Sequence, residues 1–355
     1  MRIALTVLFF SVFLGTSPAL QAAETEPEAK PPKLFSSEDI LSVTINAPWS
    51  DLKRDKNFQG AYPATIEYKD HEGNSVTHQL TVERRGIKRQ EACSFPPIRL
   101  RFEKPEVKGS LFRGETSLKM VTHCRNSDRY DQYYLLEMMA YRMYNLITDY
   151  SFRVRPLSIT YKDTGGGDEE ADRFAFLIED DSDVAKRHEL KKLEIPRIGP
   201  SRLDKSIVGH FSLFQLMVGN VDWSALSGPD KNECCHNVKL IAPRPLEKDD
   251  KIWPVPYDFD ATGLVDAPYA EPPDALGLTS VTQRLYRGYC VHNDALPAAR
   301  QRQLDLEAEI MAVLDSDPRL AEREKKSANR YMQKYFKILK DDKDFERATV
   351  RKCRK

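Results

Sequence analysis

An α+β fold, with strands gathered in the first half of the chain and helices in the second, is what the sequence predicts. Three observations carry that expectation. Short runs with apolar residues at alternate positions recur between Asp39 and Thr122, the two-residue period of a half-buried strand. The runs 127–147 and 204–220 instead have helical spacing behind capping residues. From about Leu296 the chain reads as charged helix.

In order, DILSVTINA, YPATIEYKD and SVTHQLTVERRG read as strands, the last two joined by the turn HEGN. PPIRLRFEK and SLKMVT alternate in the same way. A helix is expected from Ser127 or Asp128 through SDRYDQYYLLEMMAYRMYNLI, since Ser and Asp are good N-caps. SFRVRPLSITYKD and ADRFAFLIED read as two strands around the glycine-rich turn TGGGDEE. DKSIVGHFSLFQLMVGN reads as a helix capped by Asp204 and ended by Gly219. NVKLI and KIWPVPY then form a hairpin around PRPLEKDDK. No internal repeat is present.

The chain has 355 residues, and its first stretch, MRIALTVLFFSVFLGTSPALQAA, has a basic start, a short apolar run and small residues at its end. This is the pattern of a secretory signal peptide, cut near Ala22 or Ala23, and the apolar run is too short to span a bilayer. An exported chain, periplasmic or secreted, with no stable membrane span is expected. The expected divisions are 1–23 signal peptide, 24–33 linker, 34–180 strand-rich lobe with one helix, 181–341 helix-rich lobe, and 342–355 basic tail. Without the leader the formal charge is 53 − 54 = −1, which gives no electrostatic case for nucleic acid. The six cysteines suggest disulfides in an exported chain. Cys93 with Cys124 is the expected pair, and Cys234 or Cys235 with Cys290 a weaker one. A zinc site from Cys234, Cys235, His236, Cys290 and His292 is disfavoured, because adjacent cysteines ligate one metal poorly.

The segment from Gly219 to Gly263 holds three acids in apolar company, Asp222, Asp258 and Asp260, together with Asn237. A buried carboxylate is costly unless paired. If NVKLI and IWPVPY pair antiparallel, Asn237 lies beside Asp258 and the loop with Asp222 enters at the same end. Such an oxygen-rich set suits a hard divalent cation such as Mg2+ or Mn2+. Taken singly, each acid is better read as a turn or strand cap. Alternation puts Lys119 on one strand face with Ser117 and Val121. Glu137 falls in the helical stripe Tyr130, Tyr134, Tyr141, Tyr144 and needs a partner there. A Lys119–Glu137 pair is the device that holds a lysine against nucleotide phosphates; the alternative is an edge lysine in water. In ERRGIK, Arg85 and Gly86 end a strand where backbone can approach phosphate. His123 and His210 read as structural or exposed.

In order, these residues resemble the CotH family of spore-coat kinases, and more distantly the HipA-like atypical kinases. The resemblance covers about Leu41 to Asp260. It rests on the strand lysine of SLKMV, the helix Glu137, FLIED at 176–180, and the GN-x-D of Gly219, Asn220 and Asp222. The specific part is HN at His236 and Asn237 with PYDFD at 256–260. It implies a two-lobed protein-kinase-like fold and transfer of the ATP γ-phosphoryl group to a Ser/Thr hydroxyl of a protein substrate. Asp222 would be the catalytic base. Lys119, Glu137, Arg85, Gly86 and Glu179 would bind the nucleotide. Asn237, Asp258 and Asp260 would hold Mg2+ or Mn2+. The chain departs from the pattern where 15 positions separate Asp222 from Asn237, against roughly four to six in ordinary kinase loops. A catalytically inactive binding module of the same fold, and a metal-dependent glycosyltransferase using Asp258 and Asp260, are the competing expectations.

Overall fold

The computed structural model describes residues 33–54, 60–86, 89, 93–229 and 234–355. The expected signal peptide and nearly all of the expected linker lie outside them.

Seven strands close into one barrel: β1 (Leu41–Ala47), β2 (Ala61–Lys69), β3 (Ser75–Arg84), β4 (Ile98–Arg101), β5 (Ser117–Val121), β6 (Val154–Asp163) and β7 (Glu170–Ile178). Around the ring the order is β1-β2-β3-β4-β5-β7-β6. Each neighbour is antiparallel except β6 and β1, which run parallel from Leu41↔Leu157 to Ala47↔Asp163 and close the ring. The alternation read from the sequence becomes an inside and an outside. Val43, Ile45, Ile66, Leu80, Val82, Ile98, Leu100, Leu118, Met120, Leu157, Ile159, Ala175 and Leu177 fill the interior as one core. A short helix, α1 (Trp49–Arg54), follows β1 and adds Trp49 and Leu52 to the same core.

This closed barrel overturns the two-lobed protein-kinase-like fold expected from the motif order. The chain forms a barrel-containing α+β fold. The reason is the parallel β1–β6 pairing. It turns what would be an open sheet in a kinase-like lobe into a self-filled ring with its own core.

The outer wall formed by β5, β6 and β7 carries Val121, Val154, Phe174, Phe176 and Ile178, and these belong to a second core. Its centre is α2 (Asp128–Ile147). The helix begins where Ser127 and Asp128 predicted, although the Ser127 side chain makes no cap hydrogen bond. It is buried on nearly every side, from Tyr134 through Tyr144, so the tyrosine stripe is one part of an all-round core helix. After α3 (Asp181–Arg187), α4 (Lys205–Val218) crosses the second core; Asp204 accepts from the Ile207 N–H, and Gly219 ends the helix at φ +69°. Then come α5 (Leu296–Asp305), α6 (Glu307–Ala312), α7 (Glu322–Lys340) and α8 (Asp342–Ala348). β9 (Val238–Ala242) and β10 (Trp253–Pro256) form the expected hairpin, extended by a strand the sequence did not suggest, β8 (Lys191–Lys192). This small sheet has a third core, around Leu203, Phe211, Trp223 and Leu240.

All six cysteines are paired. Cys93–Cys124 forms as expected. Cys290 bonds Cys353 rather than Cys234 or Cys235, and those two bond each other. Among the described residues no helix is long and apolar enough to cross a membrane.

Candidate functional site

Asp222 is positioned by the end of α4. Gly219 takes the left-handed conformation that stops the helix, and the Asn220 N–H returns to the Gln215 carbonyl at 2.8 Å. The Asn220 side-chain oxygen accepts the Asp222 N–H at 3.0 Å, and its carbonyl accepts the Trp223 indole N–H at 3.1 Å. Trp223 is buried edge-on against Phe211 at 4.8 Å. The turn that carries Asp222 is therefore tied to both sides of a packed tryptophan.

The two ends of the stretch between Asp222 and Asn237 meet. Ser224 and His236 exchange backbone hydrogen bonds at 2.9 and 3.0 Å. His236 Nε2 then lies 2.8 Å from Asp222 Oδ1. Asn237 Nδ2 donates to the Asp222 carbonyl at 2.7 Å, and more distantly to Oδ2 at 3.4 Å. The 15 positions that separated Asp222 from Asn237 in the sequence thus leave them in contact. Asn237 sits at φ +51°, a region Asn tolerates better than most residues.

The hairpin brings in the second half of the site. The Asn237 carbonyl accepts the Tyr257 N–H at 3.1 Å, as the antiparallel expectation required. Asp258 follows at φ +64°, its N–H donating to the Tyr141 hydroxyl of α2 at 2.9 Å. A non-glycine residue held in this region costs of order 1 kcal/mol or more and is common at functional sites. Asp260 is buried and accepts the Tyr269 hydroxyl at 3.0 Å. Burial and the neighbouring Asp258 push its carboxyl up to about 6.

Glu137 is only 1% exposed and comes from α2 into the same neighbourhood. Its carboxyl is raised well above the ordinary range by burial and by Asp260, against the pull of Arg89. Arg89 Nη1 stands 4.0 Å from Glu137 Oε2, which has no hydrogen-bond partner among the described residues, and the guanidinium lies 4.3 Å over the Tyr134 ring. The expected Lys119–Glu137 pair does not form. Lys119 projects from the outer wall of the barrel, and its ammonium sits 4.9 Å over the Tyr257 ring, which Lys239 approaches at 5.5 Å. Burial, then Arg85 and Lys239, lower the Lys119 pKa to about 8. Burial also lowers the Arg85 guanidinium, offset by Asp258.

Gly86, at φ +78°, adjoins Arg85 and has open space where a side chain would be. Glu179 is used elsewhere. It accepts Arg187 at 3.0 and 2.9 Å and the Arg153 N–H at 3.0 Å, a clamp between β6, β7 and α3. His123 is buried against Phe95 and Tyr161, with Nε2 3.3 Å from Glu170. His210 is half-buried and burial lowers its pKa.

Sequence reasoning missed Arg89, Lys239 and Tyr269, and read Tyr141 only as part of the helical stripe around Glu137. Lys239 had a local signal, two positions beyond Asn237 on a strand that returns to the site. The others reach it only through tertiary packing. Among the described residues no group of three or more His, Cys, Asp or Glu side chains is arranged to hold a metal ion by itself. The oxygen-bearing side chains at the hairpin end are the Asp258 and Asp260 carboxylates and the Asn237 amide.

The fold and site together define a barrel-containing α+β protein with acids gathered at a hairpin end beside a cluster of cations. No protein-family model matches the chain, and no curated protein matches it significantly.

Proposed function

We propose that the chain is an exported phosphotransferase that moves the γ-phosphoryl group of ATP to a protein Ser/Thr hydroxyl with Mg2+ or Mn2+. The observation that carries this reading is that Asn237, in contact with Asp222, opens the hairpin whose other end leads into Asp258 and Asp260, with Arg85 acting on Asp258 and with Lys119 and Lys239 over the Tyr257 ring. Acids and cations brought to one end of a hairpin suit a metal-bound polyphosphate. Asn237 uses its amide nitrogen on Asp222, so its oxygen is the atom suited to a cation. Burial, and after it the repulsion between neighbouring acids, raises Glu137 and Asp260, and a bound cation would relieve the repulsive part. Mg2+ is typically held by one or two carboxylates with substrate phosphates completing its shell, which fits a donor set of this size. The metal, when bound, would neutralise phosphate charge.

Lys119 and Arg85 would bind phosphate oxygens. Asp222 would take the proton of the acceptor hydroxyl as its oxygen bonds to the γ-phosphorus and the bond to ADP breaks. The Asn220 turn and His236 would orient Asp222 for this. The hydrogen bond between His236 and Asp222 also supports a second reading, in which the site binds a nucleotide without transfer. Export is supported by three disulfides and by the leader-like first 23 residues.

The test is incubation of the purified chain with labelled ATP and Mn2+, with thermal-shift measurements alongside. ATP with metal should stabilise the protein by about 2.7 kcal/mol at a hundred times its Kd. Label should appear on the chain or on an added protein, and Asp258→Ala should abolish both effects. Stabilisation without label selects the binding module. The absence of both, or a preference for a UDP-sugar, overturns the proposal.

A further inference from the structure

The two ends of the barrel differ. One is plugged by α1, where Trp49 and Leu52 enter the barrel core and Arg84 donates to the Leu52 carbonyl. At the other end β1 and β6 begin, β2 ends and β3 begins. There the inward-facing series stops being purely apolar. Along β6 it runs Tyr161, Ile159, Leu157 and then Arg155. Along β3 it runs Val82, Leu80 and then His78. Along β2 it ends at Tyr68. These three polar side chains line a cavity of about 840 Å³ together with Leu41, Val76 and Leu111, within the size range of small-ligand sites. Tyr68 in turn packs edge-on against the buried Phe112 at 5.2 Å.

The polar groups here favour an anion. Arg155 is 8% exposed and donates to the Ser37 carbonyl at 2.7 Å, yet among the described residues its Nε has no hydrogen-bond partner. Four Lys or Arg side chains, Lys33, Lys69, Lys108 and Arg155, line the cavity against three acids. The acids are already engaged close by: Asp70 accepts the N–H groups of Glu72 and Asn74, Asp39 accepts the Ser37 hydroxyl, and Glu72 accepts from the Asn74 amide. Among the described residues Lys33 and Lys108 have no ion-pair partner. We propose that this barrel mouth binds a small amphipathic organic anion. Its carboxylate or phosphate would sit by Arg155 and Lys108, and its short apolar body against Leu41, Val76 and Leu111. The site is separate from the hairpin site and does not depend on the function proposed there.

The experiment is calorimetric titration of the full chain with octanoate, octyl phosphate and octylamine. The two anions should bind one per chain, and the relative strength of octanoate and octyl phosphate identifies the head group preferred. Lys108→Glu, at an exposed position, should weaken both at least about ten-fold without lowering Tm, and Asp258→Ala should leave both unchanged. Failure of both anions to bind, equal binding of octylamine, an unaltered Kd in Lys108→Glu, or loss of binding in Asp258→Ala would each overturn the proposal.

Discussion

Lys119 occupies a setting that favours loss of its proton. Burial and the nearby Arg85 and Lys239 lower its pKa to about 8 from 10.5. Between those values the folded chain holds fewer protons than the unfolded one, so Lys119 makes stability fall as pH drops through that window. A bound phosphate would reverse the balance and draw a proton onto the amine. Nucleotide binding at pH 9 should therefore take up protons, read by calorimetry in two buffers of different ionisation enthalpy. Lys119→Met should abolish that uptake and weaken nucleotide binding by at least about ten-fold, while leaving the unliganded Tm the same or higher. Alternation in SLKMV was enough to set this lysine on the strand face of Ser117 and Val121, opposite Leu118 and Met120, which fill the barrel. Its true neighbours were not legible, because Arg85, Tyr257 and Lys239 come from three distant parts of the chain. For the same reason the Lys119–Glu137 pair was a reasonable reading of neighbouring elements and still wrong. The helix faces its glutamate toward Arg89, a residue with no pattern around it.

At the scale of the element, α4 and the turn after it decide where Asp222 points. Both ends of this helix were legible, since Asp204 and Gly219 are local signals whose physics needs no tertiary context. Gly219→Ala should cost more than about 1 kcal/mol in chemical denaturation. Its φ is +69°, and the new methyl would overlap the Tyr331 hydroxyl. Because Asn220 hangs directly on this cap, the same variant should lose nucleotide binding beyond what its lower stability explains. Asp204→Ala, at the far end, should cost about 1 kcal/mol and leave binding intact. The hairpin was also readable, because its two strands are close in sequence. The return of His236 to Ser224 was not, since nothing in the intervening segment marks the bridge that closes it.

For the whole molecule, cohesion depends on contacts between segments remote in sequence. Cys290–Cys353 ties the segment before α5 to the chain end, 63 positions apart. Replacing both cysteines with serine should lower stability by about 2–4 kcal/mol, measured by denaturant midpoint. The strand-rich and helix-rich halves were visible in periodicity, because period two and period 3.6 are local properties. Closure was not, because strands in an open sheet and strands in a ring have the same alternation. The parallel pairing of β1 with β6 also sets an order of assembly. Leu41 and its partner Leu157 are 157 − 41 = 116 positions apart, whereas β2 and β3 meet across a short turn. A chain emerging from its N-terminus therefore carries β1 as an unpaired edge until β6 arrives, and joining that seam is a slow, non-local step. Through that interval the Val and Ile face of β1 is open to sticking to other chains, so the most fragile moment in this protein's life comes before its barrel exists.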